Sequence, residues 1–174
     1  MALELGLDGD LMATIKFKSG ADYAARFSQL AEREIDTVCG KAIYPGAAVL
    51  YAEVQAGIDS LPTDEGYGTK DAPKSGLKAV QKEGLKRSLG IAKMQDKDGF
   101  RNVKVGFDGY NAIKTKRWPQ GQPNQMVARS IERGTSFLRA TPFMKQAISR
   151  AKKPATAAMN EAFIAAMKEF IEEG

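Results

Sequence analysis

The chain has 174 residues, 43% of them hydrophobic, and 26 Lys+Arg against 21 Asp+Glu give a formal charge of +5. That is enough apolar material for one domain with a true core, and a charge that permits a nucleic-acid or acidic partner without requiring one. There is no histidine and a single cysteine, Cys39, which removes the commonest general base, the commonest metal ligand, any intrachain disulfide and any thiolate cluster for zinc.

In chain order, Leu3–Leu7 and Thr14–Lys18 alternate apolar and polar residues around an Asp8-Gly9-Asp10 turn signal, the pattern of two half-buried strands. The opening MALELGLDGDLM lacks the basic region, apolar stretch and cleavage site of a secretory signal, and residues 1–11 read either as a native arm or as an extension before Met12. No apolar run approaches the ~20 residues of a membrane span, so no membrane partner is expected and the producing cell's cytoplasm is the default site of synthesis. Ser19 then has the character of a helix N-cap, with Asp22 three residues on. Tyr23, Phe27, Leu30, Ala31, Ile35, Val38 and Ala42 follow at intervals that make one helical stripe. The stripe resumes at Ala47, Leu50, Tyr51, Val54, Ile58 and Leu61, nearly in phase across Pro45, so the segment reads as one long kinked helix rather than two. Cys39 lies on that stripe and is expected to be an inert buried thiol.

Residues 62–76 and 109–124 are rich in Gly, Pro and charge and are expected to be flexible loops outside the core. Between them a short helix is expected around Leu77–Leu85. A hairpin follows, with Leu89–Met94 and Arg101–Phe107 flanking Asp96-Lys97-Asp98-Gly99. Gln125–Glu132 reads as a further strand. Pro142 marks a helix start, Phe143, Ala147, Ile148 and Ala151 form a stripe, and Lys152-Lys153-Pro154 marks a break. A last helix is expected over Ala155–Ile171. Its Met159, Phe163, Met167 and Phe170 read as core, with docking on a neighbouring subunit as the alternative. The order of elements predicts one α+β domain over residues 1–174: an antiparallel β-sheet packed by a long kinked N-terminal helix and C-terminal helices, with 1–18 as strands or an arm.

Reaction chemistry is hard to place on this chain. Asp64, Glu65 and Asp71 lie in a loop, whereas carboxylate catalysis needs a rigid frame. Lys114, Lys116, Arg117 and Trp118 combine cations with an aromatic ring, a grouping that can follow a phosphate backbone or simply form a solvated loop or protein contact. Gly134 reads as a residue chosen for its backbone angle. Arg129 and Glu132 are placed either to pair within a subunit or to reach a neighbour.

Three blocks in series carry a resemblance: KEGLKRSLGIAKMQDKDGFRNVKVGFDGYN from Lys82, QPNQMVARSIERGTSF from Gln122, and TPFMKQAI from Thr141. With Ala42-Ile43-Tyr44-Pro45-Gly46-Ala47 and Val49-Leu50-Tyr51-Ala52 upstream, the series resembles the neck and tail-completion proteins of long-tailed bacteriophages, over roughly Lys16 to Ile171. No single motif in it is specific; the order carries the likeness. The Tyr44-Pro45-Gly46 and Lys114–Arg117 segments are local departures.

The resemblance implies an α+β structural virion protein, a ring-forming head–tail joining or tail-completion subunit made in the bacterial host cytoplasm. It implies no catalytic residues, no cofactor and no metal. The implied partners are copies of itself, in a hexameric or larger ring, and other neck or tail proteins. On that reading Arg129, Glu132, Gly134, Thr135 and Phe143 are candidate subunit-interface residues. The stretch Gln125–Phe143 is then a sheet edge, turn and helix start presented together. Lys114, Lys116, Arg117 and Trp118 are a candidate lumen or partner loop, in non-specific contact with passing DNA. The alternative is a small basic nucleic-acid-binding module.

Overall fold

The computed structural model describes residues 2–7, 13–18, 32–97 and 100–173, with side chains described over 36–97 and 100–169. The Asp8-Gly9-Asp10 turn, the Ser19 cap and the stripe from Tyr23 to Ala31 lie outside the described residues, as do the Ile35 and Phe170 side chains. The described strands are β1 (Ala2–Leu7), β2 (Ala13–Lys18), β3 (Leu89–Ile91), β4 (Gln95–Lys97) and β5 (Phe100–Phe107). The described helices are α1 (Glu32–Ser60), α2 (Ala79–Ser88), α3 (Asn124–Arg133) and α4 (Phe143–Glu173). The fold is α+β, with an antiparallel sheet on one side and α1 and α4 on the other.

The sheet runs β1-β2-β5-β3, with β4 also on β5. In β5, Val103, Val105 and Phe107 alternate into the core while Lys104 stays partly exposed, and α1 lies against them. This is the period-two pattern that made the hairpin readable. Ile91 pairs with Val105 but Gln95 with Asn102, so the β3–β4 arm carries one extra residue, a bulge at 92–94. Within it the Ala92 N–H still reaches the Lys104 carbonyl (2.8 Å), while the Met94 N–H donates to the Tyr44 hydroxyl on α1 (3.0 Å). Among the described residues the outer strands are β1 on one side and the β3–β4 arm on the other.

Helices α1 and α4 lie antiparallel. Ion pairs Lys41–Glu169 and Arg150–Glu53 mark two levels of the contact, and Gly57 faces Phe143 at a third. Ala147, Ala151 and Ala155 recur every fourth residue on the buried face of α4, and small side chains let the helix axes approach. Gly46 completes the fit: a Cβ there would meet Met159 Cγ at 2.5 Å.

Each of these helices contains a proline, Pro45 in α1 and Pro154 in α4. The expected break at Lys152-Lys153-Pro154 is not there; α4 is a single helix of 31 residues. Pro154 stands on the exposed face, and so does Arg150, the residue whose carbonyl the proline deprives of its intrahelical N–H partner. Beyond the proline, Met159, Phe163 and Met167 are buried. At about 1.5–3 kcal/mol each, their burial outweighs the ~3 kcal/mol of the proline.

The expected strand at Gln125–Glu132 is helix α3, so Gln125–Phe143 presents no sheet edge. Its buried residues are Asn124, Val127, Ala128, Ile131 and Glu132, a helical spacing of three and four. The β-branched Val127 and Ile131 suggested a strand, yet four residues apart they share one helix face. The segment 109–124 also departs from expectation in contributing to the interior, since Asn111 and Asn124 are buried.

Candidate interaction surface

The basic loop is an irregular hairpin. Its stem is closed by the Asn111 N–H to the Gln122 carbonyl (2.9 Å) and the Asn124 N–H to the Gly109 carbonyl (3.0 Å). Near its end Thr115 and Trp118 exchange both backbone hydrogen bonds, at 3.1 and 3.0 Å, which puts Lys116 and Arg117 at a two-residue tip. Lys114, Lys116 and Arg117 are exposed, and the Arg117 guanidinium lies 5.5 Å from the Trp118 ring centroid. The tip is therefore a local cluster of cations with one aromatic face engaged by an arginine.

Behind this hairpin runs a groove of ≈ 510 Å³ between residues 66–81, the hairpin, α3 and Phe137–Leu138. Leu77, Val127 and Leu138 give it an apolar floor. Lys74, Lys78 and Lys114 line it, and no Asp or Glu does. Lys74 Nζ donates to the carbonyls of Asp64 (2.9 Å) and Gly66 (3.2 Å), which anchors the wall. The Lys78 ammonium sits 4.2 Å from the ring centroid of Tyr67, and Tyr67 is 88% exposed.

Phe137, 51% exposed, also stands on the rim. Backbone pairing fixes that rim: the Lys74 N–H donates to the Phe137 carbonyl (3.1 Å) and the Arg139 N–H to the Lys74 carbonyl (2.8 Å). Gly68 is required beneath it, because a Cβ there would lie 1.9 Å from the Phe137 carbonyl oxygen. Sequence reading found Lys114 but not the groove, because its parts come from segments far apart in the chain.

The five candidate interface residues do not form one surface. Phe143 is buried, its ring 6.2 Å from that of Phe107. Glu132 is buried too, and its carboxylate accepts the Met144 N–H (2.8 Å) and the Lys145 N–H (3.0 Å). It supplies the first turn of α4 with the acceptors that a helix N-terminus lacks. Glu65 does the same for α2 by accepting the Ala79 N–H (2.7 Å). Gly134 ends α3 at φ 74°, a conformation that an L side chain resists, and a Cβ there would also crowd the Ala140 nitrogen at 2.9 Å. Arg129 and Thr135 are exposed; Thr135 Oγ1 accepts the Phe137 N–H (3.2 Å) and so helps set the rim of the groove.

Charge elsewhere is structural. Arg101 on β5 bridges Asp36 of α1 (2.7 Å) and Asp96 of β4, and these carboxylates raise its pKa further. Lys86 is raised by its hydrogen bond to Asp59. Burial pushes the Cys39 thiol up and so disfavours the thiolate, against a smaller opposing effect of Arg101. Among the described residues no group of three or more Cys, Asp and Glu is arranged to hold a metal ion, and no helix is long and apolar enough to cross a membrane. Compared with protein-family models, curated proteins and solved structures, the chain matches none.

Proposed function

We propose that the chain is a structural virion protein, a subunit of a homo-oligomeric ring at the neck or tail end of a long-tailed bacteriophage. It acts in head–tail joining or tail completion through interfaces rather than through a reaction. The observation that carries this reading is the ordered series of sequence blocks from Lys82 to Ile148, which resembles that family. An α+β fold is what the resemblance implies, and the aromatic-rimmed groove and basic hairpin offer surfaces for assembly. Light scattering coupled to gel filtration, with negative-stain microscopy, tests it: a hexameric or larger ring is expected. A strict monomer that is also absent from purified virions contradicts it.

One observation favours a second reading, a small basic nucleic-acid-binding module. Lys116 and Arg117 stand at a tight tip beside Lys114 and Trp118, an arrangement that suits a phosphate backbone. That reading requires DNA binding that weakens steeply with salt. No mobility shift at low salt removes it.

A further inference from the structure

The groove and the far end of α4 are opposite in charge and lie at opposite ends of the molecule. The groove is lined by Lys74, Lys78 and Lys114 with no carboxylate. Residues 161–173 of α4 contain Glu161, Glu169, Glu172 and Glu173 against the one cation Lys168, and no basic residue stands in the helix's last turn. A helix C-terminus already carries partial negative charge, so carboxylates there repel it, and a cation brought beside them relieves that. The same stretch exposes Ile164 at 50%, an apolar side chain suited to the floor made by Leu77, Val127 and Leu138.

We infer that the groove receives the acidic end of α4 from a second copy of this chain. The copy's own end cannot reach. Phe137 and Leu138 precede the start of α4, whereas Glu169 lies 26 residues along it, roughly 40 Å away at 1.5 Å per residue. Lys41 of α1 also holds Glu169 at that far end. One groove and one acidic end per subunit, on different surfaces, make a head-to-tail contact, and such contacts close into rings when the rotation allows. The inference rests on the ring reading and supplies its joint.

The test uses two charge-reversed variants of the full chain, Lys78→Glu/Lys114→Glu and Glu172→Lys/Glu173→Lys, with light scattering across a concentration series. Each alone is expected to need at least roughly tenfold more protein to assemble than the unaltered chain. Their equimolar mixture is expected to recover assembly, since each then offers the other a complementary partner. A second arm measures the anisotropy of a labelled peptide of residues 160–174: it is expected to bind the unaltered chain and to bind Lys78→Glu/Lys114→Glu at least roughly tenfold more weakly. Assembly that both variants leave unchanged overturns the inference while the ring reading stands. A chain that forms only dimers or open chains, yet binds the peptide through the groove lysines, upholds the inference and overturns the closed ring. A peptide that binds both proteins alike, or neither, overturns the inference.

Discussion

Removing the Glu132 carboxylate perturbs a contact on which the start of α4 depends. Glu132 is 7% exposed and accepts hydrogen bonds from the Met144 and Lys145 amides at 2.8 and 3.0 Å. Met144 is fully buried, so in Glu132→Ala its amide has no ready water to replace the carboxylate. A hydrogen bond to a charged group contributes about 1.5–3 kcal/mol, and a charge at a helix N-terminus adds up to ~2 kcal/mol in a partly buried setting. These effects overlap, and the substitution also removes the cost of burying the charge, so the expected net loss is about 3 kcal/mol. For a chain of this size that corresponds to a fall in Tm of roughly 6–12 °C. Glu132→Gln keeps one acceptor and turns an NH2 toward the second amide, and should lose about half as much. The assay is thermal and urea unfolding at one fixed protein concentration, because association shifts the melt by mass action. Glu132→Ala melting within about 2 °C of the unaltered chain would refute the reasoning. Loss of assembly with an unchanged melt would instead make Glu132 an interface residue.

Three further outcomes follow from particular contacts. Gly68→Ala forces the Phe137 carbonyl away from a Cβ placed 1.9 Å from it; it should cost about 1–3 kcal/mol in urea unfolding and speed hydrogen exchange at the Lys74 amide. Cys39, buried and with its thiol pushed up by that burial, should react with a soluble disulfide reagent at neutral pH only at the rate of unfolding, and at once in denaturant; fast labelling of the native chain contradicts this. Neutralising Lys114, Lys116 and Arg117 to Gln should leave the melt within about 0.5 kcal/mol of the original stability, since all three are exposed, yet lower assembly or particle infectivity; no change in either removes the basic hairpin from the functional surface.

The pairing of Leu89–Ile91 with β5 was legible because Val103, Val105 and Phe107 alternate strictly, but Asp96 and Lys97, read as loop, extend the pairing as β4. The stripe of α1 from Val38 to Ile58 was legible because it holds one phase across Pro45. Helix α3 was not, since a ten-residue window with β-branched Val127 and Ile131 suits either period until Ala128 and Glu132 are known to be buried with them. The continuity of α4 was hidden for another reason: whether Pro154 ends a helix depends on which side faces water, a tertiary fact. Of the candidate surface, only the local cluster Lys114–Trp118 could be read from neighbours in sequence. The groove joins Tyr67, Lys74, Lys78, Lys114 and Phe137, whose proximity follows from the pairing of residues 74 and 137–139 and has no local signature. Glu132 was noticed for its charge, but its role as a distant cap for α4 needed the three-dimensional placement of Met144 and Lys145.

The most direct test of the ring is the mass of the native chain in solution, measured by sedimentation equilibrium over a wide concentration range. The account predicts a discrete species of about six or more copies of the 18.9 kDa subunit, alone or on addition of its neck or tail partner. A single 18.9 kDa species under every condition, with the chain absent from purified virions, would contradict it.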